Sequence, residues 1–137
     1  MSVASEVESA ASAPLRYFAH DSDANQDLKI QMLLDDHGMC GYGMWWRLVE
    51  LLASTDSHKL EIDDPRVRRI VTRKLMLGDE DALMAFLKDL KDYGLIEMPG
   101  DGFLSSKRMD RNAMAYGKQV AHGRVGGKRG GRPRKDA

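Results

Sequence analysis

Residues 63–106 read DDPRVRRIVTRKLMLGDEDALMAFLKDLKDYGLIEMPGDGFLSS, and the periodicities inside this stretch decide the fold class. Asp63 or Asp64 caps a helix whose first position is Pro65, where the missing N–H costs nothing. Val67, Ile70, Val71 and Leu75 face inward from that helix, while Arg66, Arg69 and Arg73 recur at i, i+3 and i+7 along another face. Arg68 and Lys74 add to its charge. After Gly78, the cluster Asp79, Glu80 and Asp81 suits a helix N-terminus, where the backbone dipole favours negative charge. Leu83, Phe86, Leu87 and Leu90 then form the clearest amphipathic stripe in the chain, and Tyr93-Gly94 closes it. Residues 95–98, 99–102 and 103–105 read as strand, turn and strand, because one proline and two glycines fill the middle.

Working upstream, residues 59–62 (KLEI) alternate polar and apolar with the period of a short edge strand. Before them, Trp45, Leu48, Val49 and Leu52 give the stripe of a buried helix face that begins near Gly41. Met44, Trp46 and Leu51 spread apolarity to its other side, which calls for packing on two faces, one of them open to another subunit. An earlier helix covers about residues 23–37, with Ile30, Leu33 and Leu34 inward, Asp21, Ser22 or Asp23 as cap and Gly38 as terminator. Residues 1–14 carry two valines and otherwise small or polar side chains, a composition that predicts disorder. Downstream, Met109, Ala113, Tyr116 and Val120 form a last helical face with Lys107, Arg108 and Arg111 off it, and from Gly123 the chain is glycine and base, expected to be flexible. The order predicts a mainly α fold with a small β-wing: a winged helix-turn-helix over residues 15–116, preceded by an extra helix and followed by a flexible basic tail, 117–137. A loose four-helix bundle is the competing architecture.

The formal net charge of zero conceals a sorting of charge along the chain. Residues 1–106 hold 11 Lys and Arg against 19 Asp and Glu, whereas residues 107–137 hold 10 against 2. Such asymmetry points to a polyanion for the basic end, or to an acidic protein surface. The N-terminus lacks the charged and apolar regions of a signal peptide, and the stretch around Met44 to Ala53 is broken by Arg47 and Glu50, so no membrane partner is expected. Cys40 is the single cysteine, which excludes an internal disulfide and suits a reducing cytoplasm, the bacterial cytoplasm or nucleoid.

Four segments carry a family resemblance: YFAHDSDANQDLKI (17–30), GMCGYGMWWRLVELLA (38–53), DYGLIEM (92–98) and DGFLSSKRMDRN (101–112). Together they resemble the N-terminal domain of phage replisome organisers, a DnaD-like winged-helix family, over about residues 15–116. Ala19 stands where that family's pattern usually has proline. The resemblance implies a role in initiating DNA replication, with the winged helix binding DNA or self-associating, replication proteins as partners, and often a further domain downstream, which this chain is expected to lack.

The helix after Gly78 would be the recognition helix of a helix-turn-helix, yet Lys88 and Lys91 face Asp79, Glu80, Asp81, Asp89 and Asp92, a balance that repels phosphate. Arg66, Arg69 and Arg73 are the better electrostatic candidates, since guanidinium forks suit phosphate oxygens. Lys107, Arg108 and Arg111 join them, and the tail supplies Lys128, Arg129, Arg132, Arg134 and Lys135. Gly131-Arg132-Pro133 within that tail resembles an AT-hook, whose extended arginines enter a narrow A·T minor groove. Other strings fail on context: GRVGGK (123–128) is one residue short of a phosphate loop, GMCGYG is no dinucleotide fingerprint, and His20, His37, His58 and His122 lack metal-ligand spacing. No catalytic constellation, cofactor, metal or small-molecule site emerges. The function expected is a non-enzymatic DNA-binding accessory or organiser of phage-type replication that forms homo-oligomers. A protein–protein scaffold without DNA contact and a winged-helix transcriptional regulator are the alternatives.

Overall fold

A computed structural model describes residues 2–128, with side chains through Gly123. Its helices are α1 (Val3–Ser12), α2 (Leu28–Ala53), α3 (Pro65–Lys74), α4 (Glu80–Tyr93) and α5 (Lys107–Lys128), with short 3-10 turns at Ala24–Gln26 and Asp56–His58. Three starts follow one chemistry, a carboxylate that satisfies an orphan N–H. Asp27 accepts from the Lys29 N–H, Asp64 from Arg66 (both 2.9 Å) and Asp79 from Ala82 (2.7 Å). Gly94 ends α4 with φ 85°, the left-handed conformation that glycine adopts without a Cβ penalty. None of the helices is long and apolar enough among the described residues to cross a membrane.

The predicted wing does not form. Among the described residues there is no strand, only two isolated antiparallel bridges, Leu60 with Leu104 and Glu97 with Ser105. Each is one reciprocal pair of backbone hydrogen bonds, 3.0 and 2.8 Å for the first and 2.8 and 3.0 Å for the second. The ladders stop there because the chain curls at once: the Ile62 N–H turns back to Leu60 O (2.9 Å), and Gly100 and Gly102 take φ 96° and 88°. A period-two pattern needs several consecutive residues to stay extended, and residues 59–62 do not. Over the described residues the fold is therefore helical throughout, and the winged helix-turn-helix expectation is corrected.

α2 carries the core. Trp45, Leu48, Val49 and Leu52 are buried as their spacing predicts, against Leu83, Phe86, Leu87 and Leu90 of α4 and Val71 and Leu75 at the end of α3. Ile30 and Leu33 add the first half of α2, which bends sharply at Gly38 (φ 67°, ψ −160°). Polar ties brace the bend, with His37 Nε2 2.8 Å from Asp89 Oδ2 and the Tyr93 hydroxyl donating to Asp36. Gly38 occupies a backbone region that only glycine enters freely, and a Cβ there would touch nothing within 4 Å. Backbone strain alone thus sets the effect of Gly38→Ala, expected to cost about 1–3 kcal/mol in urea denaturation. Gly43→Ala, equally open but helical, should instead stabilise by roughly 0.5–1 kcal/mol. Equal midpoints for the two variants would show that the bend is not imposed by Gly38.

Residues 3–12, whose composition suggests disorder, form α1 and lie along α5. Small residues permit the approach: a Cβ on Gly117 would sit 2.5 Å from the Val7 carbonyl and 3.1 Å from Ala11 Cβ. His58, buried in the 3-10 turn after α2, joins α2 to α1, with Nδ1 3.1 Å from Leu52 O and Nε2 2.8 Å from Ala11 O. Leu15 then re-enters the core, its N–H donating to Ala53 O at 2.7 Å. The helix expected around Met109 to Val120 extends through Lys128.

Candidate nucleic-acid interface

α5 holds six Lys and Arg against one Asp. Among the described side chains, Met109, Ala113, Gly117 and Ala121 are its buried positions, i to i+12 in steps of four. Lys107, Arg111, Lys118 and His122 are all exposed and fall at i, i+4, i+11 and i+15. At 3.6 residues per turn these four project within about 60° of one another, a ridge roughly 22 Å long on the side away from the buried stripe. Asp110, the one carboxylate, is turned off this ridge, and burial holds its pKa above the ordinary carboxylate value.

The ridge begins at a small cleft. Lys107, Arg108 and Arg111 share it with Lys29 from the start of α2, with Asp27, and with the turn at Gly94; its volume is about 100 Å³. Asp27 is already occupied as the α2 cap. Trp45 lines the same cleft, and its buried indole N–H has no hydrogen-bond partner among the described residues. Lys29, Lys107 and Arg111 against the one carboxylate of Asp27 leave this cleft net positive, and at the N-terminal end of α5 the helix dipole acts in the same direction.

Arg108 has a second task. Its guanidinium lies 5.1 Å from the Trp46 ring centroid, donates to Ala19 O (3.2 Å) and approaches Asp21 (3.7 Å). His20 stacks on the same indole at 3.6 Å, so Arg108 and Trp46 together pin residues 18–21 to the body. On α3, Arg66 is held by its own cap: Nε and Nη2 lie 3.3 and 3.1 Å from the Asp64 oxygens, and this contact keeps the Asp64 carboxyl below the usual carboxylate range. Arg69 and Arg73 are exposed, with no carboxylate within 4 Å among the described residues. The structure therefore separates the arginines that sequence spacing grouped together. Of the tail, the Lys128 side chain and Arg129, Arg132, Arg134 and Lys135, with the AT-hook-like segment, lie outside the described residues.

No group of three or more His, Cys, Asp or Glu among the described residues is placed to hold a metal ion. Cys40 is exposed, and His37, the base nearest in sequence, is engaged by Asp89. The family model described as Lin1244/Lin1753-like, N-terminal, matches residues 17–109. The chain belongs to this family. The match replaces the resemblance to DnaD-like replisome organisers, which is corrected on two counts, because the family that matches is a different one and the wing is missing. No curated protein and no solved structure matches the chain.

The Lin1244/Lin1753-like match runs from Tyr17 to Met109. It thus takes in the strap of residues 18–21, Trp46 and Arg108, and it ends in the first turn of α5. α1 and most of the basic ridge lie outside it. Two ridge members, Lys118 and His122, were legible as continuations of the Lys107–Arg111 spacing but were not singled out. Lys29 had no local signal: it is 78 positions from Lys107 in sequence, and only the packing of α2 against the start of α5 brings it to the cleft.

Proposed function

We propose that this Lin1244/Lin1753-like chain is a non-enzymatic DNA-binding protein that lays α5 along the phosphate backbone. The supporting observation is the placement of Lys29, Lys107 and Arg111 at one cleft and of Lys118 further along the same exposed face of α5, with His122 beyond it. A ridge of roughly 22 Å spans about six base-pair steps, so several phosphates fall within reach of one rigid element. The acidic body then faces away from DNA, and α5 leads directly into the cationic segment after Lys128. Phosphate contacts of this kind position a protein without reading bases, so the proposed binding has little sequence preference. A role in replication initiation rested on the replisome-organiser resemblance; DNA binding rests on charge placement and stands without it.

The test is the salt dependence of duplex binding by the intact chain and by a form ending at Lys128. That truncation removes four cations, Arg129, Arg132, Arg134 and Lys135, and leaves α5 whole. The log-log slope should flatten by up to about 3.6, at roughly 0.9 per lost phosphate contact, with weaker binding at low salt. Failure of the intact chain to bind duplex DNA in dilute buffer would refute the proposal.

A further inference from the structure

We propose that a second surface, the groove between the second half of α2 and the end of α3, docks an acidic amphipathic helix of a partner protein. Cys40, Gly43, Met44 and Arg47 line one wall at i, i+3, i+4 and i+7, a single helix face, and residues 73–77 line the other. The groove measures about 960 Å³, and a neighbouring hollow of about 850 Å³ shares Arg73, Met76 and Leu77 with it. Met44, Leu75, Met76 and Leu77 supply the apolar surface, while Arg47, Arg73 and Lys74 supply charge; among the described residues no carboxylate lines this groove, Glu50 lies 3.7 Å from Arg47, and Asp79 and Glu80 stand at the far side of the neighbouring hollow. On a body that is acidic as a whole, this local excess of cations beside thioethers matches an apolar helix stripe flanked by Glu or Asp. A DNA backbone has the charge but nothing to fill the apolar floor.

Met76 carries the argument further. α3 ends in a Schellman motif: the Leu77 N–H donates to Thr72 O and the Met76 N–H to Arg73 O, both at 3.0 Å. Glycine is usual at the left-handed residue of this motif, yet Met76 occupies it with φ 58° and is 91% exposed. A methionine is thus kept in a conformation costly to it, with its side chain in solvent and making no compensating core contact. Such a residue fits a surface that becomes buried when a partner arrives.

The groove shares no residue with the α5 ridge, so it stands or falls independently of DNA binding. The probe is a helix-stapled peptide of about four turns, with leucines at i, i+3, i+4 and i+7 and glutamates elsewhere. Its counterpart carries lysine for every glutamate, and both are titrated into full-length protein with isotope-labelled methionine methyls. The glutamate peptide should shift the Met44 and Met76 methyls saturably, and Arg73→Glu with Lys74→Glu should weaken it about tenfold or more. Met76→Gly should raise the melting temperature by relieving the backbone while weakening the peptide, a combination that a purely structural residue would not give. Equal binding of the lysine peptide, absence of saturable shifts at these methyls, or displacement of the peptide by a short DNA duplex would each overturn the proposal.

Discussion

Charge reversal along one face of α5 should abolish duplex binding: Lys107→Glu, Arg111→Glu and Lys118→Glu together are expected to weaken it about a hundredfold or more, close to 2.8 kcal/mol. Two unit charges about 4 Å apart in water interact by roughly 1 kcal/mol, and each reversal exchanges attraction for repulsion, doubling the change. Three sites give about 6 kcal/mol before screening, and a Debye length near 8 Å at physiological salt leaves an appreciable part of that. The fold should tolerate the changes, since all three side chains are exposed and a glutamate at position 107 suits the N-terminal end of α5. Arg69→Glu, Lys74→Glu and Lys88→Glu together, exposed cations on α3 and α4 that change the net charge by the same amount, are the control for net charge. In a fluorescence anisotropy titration the control should bind nearly as well as the parent. If both variants weaken equally, the bulk charge of the molecule matters and the ridge does not.

The adjacent tryptophans should part company in stability. Trp45 is 1% exposed at the centre of the core, and Trp45→Ala is expected to cost about 3–5 kcal/mol. Set against a typical total of about 5–15 kcal/mol, this removes a large share of the stability. Trp46 is half-buried and serves the strap instead, stacked by His20 and approached edge-on by Tyr42. Trp46→Ala should therefore loosen residues 18–21 while the helices persist, with a smaller fall in midpoint and faster amide exchange confined to the strap. Thermal unfolding followed by circular dichroism gives the first comparison, and hydrogen exchange gives the second. A greater loss of midpoint for Trp46→Ala than for Trp45→Ala would contradict this division of labour.

Residues that speak to near neighbours were readable in the chain. Asp64 with Pro65, Asp79 with the stripe from Leu83 to Leu90, and Gly94 marked helix ends because capping reaches only two or three residues. Trp45, Leu48, Val49 and Leu52 declared a buried face because helical periodicity is a local property. The misreading of residues 59–62 and 95–105 has the opposite origin: strand formation depends on partners far away, and here each partnership lasts for one bridge. α1 was hidden for a similar reason, since a short helix with no buried residues of its own gains its position from α5, more than a hundred residues on.

The candidate interface divides along the same line. The spacing of Lys107 and Arg111 is a property of one helix, and the sorting of basic residues toward the C-terminus is written in composition alone. Tertiary structure decided the rest: that Lys29 completes the cleft, that Arg108 clamps Trp46, and that Met44 and Met76 line opposite walls of one groove. The physical reason is range. Hydrogen bonds of caps and the turn of a helix act between residues a few positions apart, whereas a cleft or a groove exists only after separate helices have packed, and no local pattern records which of their side chains will meet.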